Sequence, residues 1–302
     1  MFGIFLLAGF SSLTKATTVP SPPQRIVSCS LATDELTVAL IPASERQRIL
    51  ALSSLAANTL YSNIPFLPDR PLDSHPSWTQ SPCDSRNIEN LIAHKPDLVL
   101  LASYSSPHIK IQLAKKNIPI FEAAAPKSLD DIAHNIKSLS QRLGTDKSTG
   151  QALVDLFDRE RRAIAALPTP PSLAKRRVIH LFEDGTVSGK NTIFDSLAQE
   201  IPVTNQAARL GLQGWAKHSI ETLLVLNPDT LIVGGDPDAP KDVVFKKLHK
   251  IPGMDKLKQI SSSRIVVIPE RSLGSVSHHI LKGLRQMKEE LIRIESERSG
   301  SP

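Results

Sequence analysis

The chain has 302 residues, 40% of them hydrophobic, and 36 Lys and Arg against 30 Asp and Glu give a formal net charge of +6. That length fits two domains or one large one, with enough residues to bury a substantial core. The basic residues are dispersed in short clusters such as Lys175-Arg176-Arg177, with no basic stripe interleaved with aromatics, so a solvated basic surface is expected and nucleic-acid binding is not.

Residues 2–10 form an apolar run too short to span a bilayer. Small residues follow, and Thr14 and Ala16 suit the −3 and −1 positions of a cleavage site. This pattern predicts a signal peptide over 1–16, although the usual positive n-region is missing. Phe10 stands where a lipidated Cys would be, so the expectation is a soluble exported protein without a lipid anchor. Residues 17–24 read as a linker. Arg25 to Ser30 read as a first buried strand, 33–41 as a helix with Thr33 as N-cap, and 48–53 as a second strand. The stretch 56–86 holds His75 and Trp78 and shows no clear period; long loops of this kind are often functional. Cys29 and Cys83 are the two cysteines. An oxidising compartment permits a disulfide between them, and two free thiols are the alternative.

A repeat then begins. Residues 87–101 recur, degraded, as residues 219–233, at an offset of 132 with five of fifteen positions identical. Each copy reads as a short helix, a Pro-Asp break and an apolar strand, because Pro disfavours helix in the residue before it. Each copy also carries one Glu at the same place, Glu89 or Glu221. Helix-Pro-Asp-strand is also generic α/β chemistry, so the repeat alone suggests two similar lobes without proving them. A helix near 107–116, a strand at 118–122 and a helix at 128–143 follow. Strand–helix alternation points to a mainly parallel sheet covered on both faces.

From 146 to 167 apolar residues fall at helical spacing with no strand between, and Pro168, Pro170 and Pro171 end the pattern. A helix over 145–168 would be about 30 Å long, enough to bridge two lobes. Alternation then resumes with a strand at 176–183, a turn at 185–189, a helix at 191–199, the second repeat, a strand at 264–268 and a helix near 276–296. The predicted fold is therefore two Rossmann-like α/β lobes, 25–144 and 169–302, joined by one helix. Gly185 to Asn191 ends like a phosphate loop, but its spacing is wrong and no Ser or Thr follows Lys190.

These features resemble the substrate-binding proteins of ABC importers for metal chelates. The resemblance covers nearly the whole chain after the signal. It is carried by Arg25-Ile26-Val27-Ser28, Thr33-Asp34-Glu35-Leu36, Asn87-Ile88-Glu89 with Lys95-Pro96-Asp97, Ser128 to Ile132, Ser188-Gly189-Lys190, Gly211 to Trp215, and Ser219-Ile220-Glu221 with Asn227-Pro228-Asp229. It implies a rigid bilobed monomer in the periplasm with its ligand in a cleft between the lobes, no enzymatic activity, and a cargo that is a ferric siderophore, cobalamin or haem, in that order. It also implies that Glu89 and Glu221 pair with Arg residues on the two membrane subunits of the permease; the alternative is a solvated Glu that favours its helix dipole. One departure is Glu200 to Asn205, where the family often has paired small residues before Asn.

In α/β lobes, ligands meet the carboxyl ends of strands. That rule nominates Ser30 and Leu31; Tyr104, Ser105 and His108; Glu183 and Asp184; Gly235 and Asp236; and Arg271 with His278 and His279. Trp78 and Trp215 each precede a repeat helix and are candidates for aromatic walls, with core packing as the alternative. Adjacent His278 and His279 on a helix would face apart, so one ligand or none is expected there. Arg271 suits an anionic group, or solvent. No metal site is expected. Two other readings are a binding protein for a bare divalent metal, which needs clustered ligands where the nine His are scattered, and a secreted α/β enzyme, for which no Gly-x-Ser-x-Gly or His-Glu-x-x-His exists.

Overall fold

The computed structural model describes residues 21–84, 87–236, 241–248, 250 and 264–299. The signal-peptide expectation over 1–16 and the start of the 17–24 linker lie outside the described residues. Residues 22–24 are held by the N-terminal lobe: the Gln24 N–H donates to Asp97 at 2.7 Å, and Arg48 Nε donates to the Pro23 carbonyl at 2.8 Å.

Among the described residues, ten strands make two parallel sheets and a two-stranded antiparallel sheet. The N-terminal sheet has the order β2-β1-β3-β4, from β1 (Ile26–Ser28), β2 (Ile49–Ala51), β3 (Leu98–Ala102) and β4 (Ile120–Ala123). The C-terminal lobe contains β5 (Arg177–His180), β6 (Thr186–Ser188), β7 (Thr204–Asn205), β8 (Trp215–Lys217), β9 (Thr230–Gly235) and β10 (Ile265–Pro269). Its parallel sheet runs β10-β9-β5-β7, and β6 pairs with β8 antiparallel. All five residues of β3 are buried, as a strand covered by helices on both faces requires.

The two repeat copies have the same local build. The helix Ile88–Ala93 starts at Asn87, whose side chain caps Asn90; the matching helix is Ile220–Leu226. Lys95 and Asn227, each just before the Pro, both adopt positive φ, 48° and 41°. Each Asp then staples its strand to the first strand of its lobe. Asp97 accepts from the Arg25 N–H at 2.9 Å, and Asp229 accepts from the Arg177 N–H at 2.9 Å and its guanidinium Nη2 at 2.8 Å. The Pro-Asp portion of the repeat is thus scaffold.

The predicted bridging helix spans Lys147–Ala165. Gly144 turns the chain just before it: it closes the helix Leu129–Leu143 at φ 63°, where a side chain is strained, and a Cβ there would stand 2.8 Å from Pro22. The bridging helix packs on Leu31–Leu40 and Leu129–Leu143 of the first lobe and on Ile280–Ser299 of the second. One apolar cluster runs from Ile26 and Leu36 through Val154, Phe157 and Ile164 to Leu197 and Leu284, so lobe separation would open the main core. Arg161 on this helix reaches Asp130 at 2.7 Å and Glu200 at 2.5 Å, one from each lobe. Buried Lys288 donates to the carbonyls of Ile164 and Ala165, placing a cation at the negative end of the helix dipole.

Two expectations change. The first helix starts at Leu31, capped by Ser30 rather than Thr33, because the Ser30 hydroxyl accepts the Thr33 N–H. The 185–189 turn is also a strand: Gly185 turns the chain and Thr186 to Ser188 return along β8.

Candidate functional site

The segment that follows β2 in the first lobe and the segment that follows β10 in the second meet across the lobes. Just past β10, the Arg271 guanidinium lies over the Phe66 ring at 4.3 Å from its centroid, and the Arg271 carbonyl accepts from Asn63 Nδ2 at 2.6 Å. Phe66 and Asn63 belong to the first lobe. Arg271 is therefore a strand-end residue held across the interface, its guanidinium over an aromatic ring and, among the described residues, in no ion pair with a carboxylate. Stacked Arg keeps its planar fork of donors for an anionic oxygen.

The other candidates divide by what their side chains already do. Tyr104 is 65% exposed past β3. Ser105 is half-buried and its hydroxyl accepts from the Ala102 N–H at 3.2 Å, closing the turn that presents Tyr104. His108 is exposed in the first turn of the helix Pro107–Lys115. Trp215, 52% exposed, begins β8, whose partner β6 follows the carboxyl end of β5. Glu183 is exposed and pairs with Lys247 at 3.2 Å. Asp184 is spent on its own turn: its carboxylate accepts from the Thr186 N–H at 2.9 Å, a bond that lowers its pKa. Gly235 ends β9 and Asp236 follows it, exposed. Leu31 is half-buried.

Three expectations need correction. Trp78 is fully buried; its Nε1 donates to the Ile49 carbonyl at 2.8 Å and its ring stacks on His75, so it is core and not cleft wall. Ser30 is buried, with its hydroxyl engaged by Thr33, so it caps a helix rather than facing a ligand. His278 and His279 precede the last helix, and their rings contact each other instead of facing apart. His278 stands against the bridging helix, in a cavity of about 360 Å³ lined also by Leu153, Leu156, Phe157, Glu160 and Lys282, not at a strand end. Burial, then the Lys282 charge, pushes its pKa down to about 4, so its ring is neutral.

Sequence reasoning passed over four residues. Phe66 and Asn63 lie in the long irregular stretch, where no period marked them. Glu35 is buried at the lobe junction. Glu270, at the end of β10, packs its carboxyl over β9: a Cβ on Gly234 would stand 1.5 Å from Glu270 Oε2, so only glycine leaves it room. Burial and then the Glu183 charge raise the Glu270 pKa. Its signal was Gly234-Gly235 ending an apolar strand, where a missing Cβ admits a neighbour.

Cys29 and Cys83 form a disulfide, which joins the end of β1 to the segment leading into the Ile88–Ala93 helix. Glu89 and Glu221 are both exposed, each in the first turn of its repeat helix. Among the described residues, no group of three His, Cys, Asp or Glu is placed to hold a metal ion, and no helix is long and apolar enough to cross a membrane.

Residues 51–272 match the sequence model of a family described as periplasmic binding protein. The vitamin B12-binding protein of Vibrio parahaemolyticus is 27% identical over 235 residues, 76% of each chain. The cobalamin-binding protein of Halobacterium salinarum is 22% identical over 242 residues, covering 72% of this chain and 64% of that protein, so the chain spans under two thirds of that relative's length. A solved structure of the periplasmic heme-binding protein of Roseiflexus sp. RS-1 superposes with a TM-score of 0.69 at 22% identity, over 90% of this chain and 98% of that one, a likeness of fold.

Proposed function

The chain belongs to the periplasmic binding protein family, and on that premise we propose that it captures a metal chelate between its lobes and delivers it to an ABC importer. The observation that carries this reading is Arg271, just past β10, lying over Phe66 of the other lobe. A chelate is large, flat in part and often anionic, and a concave site with exposed aromatics and one directed cation suits it. Tyr104 from the first lobe and Trp215 from the second are the proposed aromatic walls, and Arg271 takes an anionic oxygen. Leu31, Ser105, Glu183, Asp184 and Asp236 form the polar and apolar margin.

The names of the curated relatives favour cobalamin, which moves ahead of the ferric siderophore that the sequence reading put first; haem stays third. Cobalamin offers Arg271 a phosphodiester, and haem and many siderophores offer carboxylates. Glu89 and Glu221 are the proposed docking points, one per lobe, for Arg residues of the two permease subunits, since carboxylate–Arg pairs are directional and two of them set a register. The protein would act as an exported, soluble monomer with no chemical step. Calorimetric titration against cyanocobalamin, haemin and several ferric siderophores tests this. One of them should bind at one per chain; stoichiometric zinc binding with no chelate bound would favour the bare-metal reading instead.

A further inference from the structure

Glu35 lies mid-helix in Leu31–Leu40, yet it is almost fully buried. Its carboxylate receives donors from both lobes. In the first lobe, the Asn63 N–H and Nδ2 donate to Oε1 at 2.8 and 3.0 Å. From the second, the hydroxyls of Ser275 and Ser277 donate to Oε2 at 3.1 and 2.5 Å. Asn63 Nδ2 also reaches the Arg271 carbonyl. Neighbouring Asp34 works differently: it accepts the Ser53 N–H and hydroxyl, wholly within the first lobe.

A buried carboxylate is costly unless its lone pairs are filled. Here the filling groups come from Asn63, Ser275 and Ser277, which lie outside helices and strands, so no ladder fixes their positions. The second segment is wound around the carboxylate: the Ser277 N–H donates to Ser275, and the His279 N–H donates to Ser277, just before the last helix begins. Removing the carboxylate would leave donors of both lobes unpaired together.

We propose that Glu35 is a positioning residue that fixes the register of the two lobes. It ties the first helix of one lobe to the segment between β10 and the last helix of the other. Through Asn63 it also holds the Arg271 backbone, and with it the guanidinium on Phe66. A consequence is that the spacing of Glu89 and Glu221 is set in the absence of cargo. That consequence rests on the proposed function; the register itself does not.

The test is a distance measurement between spin labels on Lys116→Cys and Gln199→Cys, exposed positions in the two lobes; both native cysteines are already bonded to each other. The protein with native Glu35 should give one narrow distance. Glu35→Gln, which keeps the size but removes one of the two accepting oxygens and the charge that the four donors converge on, should lose that single peak while circular dichroism stays native. Ser275→Ala with Ser277→Ala should do the same, and adding Glu35→Gln to that pair should change little more, because all three act on one interaction. A folded Glu35→Gln protein with the narrow peak intact would overturn the proposal. Should Glu35→Gln not fold, the serine pair decides: an unchanged peak overturns the proposal and a lost peak supports it. The measurement uses neither cargo nor permease, so it is independent of the proposed function.

Discussion

The Arg271 guanidinium stands 4.3 Å from the centroid of the Phe66 ring, and the two residues come from different lobes. They are distant in sequence, yet Asn63 also ties the two segments together. The Arg271 guanidinium lies over an aromatic ring, whereas the scaffold arginines Arg176 and Arg177 pair with Glu295 and Asp229.

Arg271→Ala is expected to weaken binding of the anionic chelate by roughly 10- to 100-fold, the worth of one charge-assisted hydrogen bond of about 1.5–3 kcal/mol. Arg271→Lys should recover only part of it, since a point charge does not stack as a planar fork does. Calorimetry with each variant measures this, and an unchanged affinity for Arg271→Ala would remove the residue from the site.

Glu89→Lys and Glu221→Lys, singly or together, should abolish permease-dependent uptake in reconstituted vesicles and leave cargo affinity unchanged. Both side chains are exposed and each sits at a helix start, so neither change disturbs the core. Loss of cargo binding in either variant would place that Glu in the cleft instead.

Reducing the Cys29–Cys83 bond opens a loop closed over 54 residues. Chain entropy then favours the unfolded state, and a loss of about 2–4 kcal/mol of unfolding free energy is expected in urea titrations with and without reductant. Equal stability in both conditions would show that the loop is restrained without the bond.

Buried groups give stability a pH dependence of known sign. His180 is packed between Phe182 and Phe194, and burial pushes its pKa from 6.5 down to about 3. The unfolded chain binds its proton at higher pH than the folded one. The stability this neutral ring contributes is therefore present at pH 7 and lost as pH falls from 6.5 towards 3. His278 acts with the same sign. Asp34 acts oppositely: burial, chiefly, raises it from 3.8 to about 7, so its contribution is full below 3.8 and lost as pH rises through 7. His180→Phe should flatten the acid limb by up to about 1.4 kcal/mol per pH unit between pH 3 and 6.5. An acid limb identical to the native protein's would contradict the assignment.

The lobes and bridging helix were legible because their signals are local. Five consecutive apolar residues in β3, the Pro-Asp break of each repeat, and helical spacing from Leu153 to Ile164 need no distant partner. The pairing of β6 with β8 was not, because Thr186-Val187-Ser188 is too short to alternate visibly and its partner strand starts 27 residues later. The site was half legible. Strand ends led to Arg271 and Tyr104, but Phe66 and Asn63 reach their partners only through tertiary contact, more than 200 residues apart in the case of Asn63 and Arg271. Trp78 misled because a lone Trp in an irregular stretch reads the same whether it plugs the core or lines a cleft. Glu35 had a faint signal: a second acidic residue in a helix with scarcely any exposed face.

The most direct test of chelate capture between the lobes is a fluorescence titration of the native protein and Trp215→Phe with the chelate that calorimetry finds to bind. Trp78 is sealed in the core, so the expected result is quenching that saturates at one ligand per chain in the native protein and is largely absent in the variant, with metal-bound cobalamin the first ligand to try. Binding that leaves Trp215 emission unchanged, or no binding by any chelate, would contradict a cargo site beside Trp215.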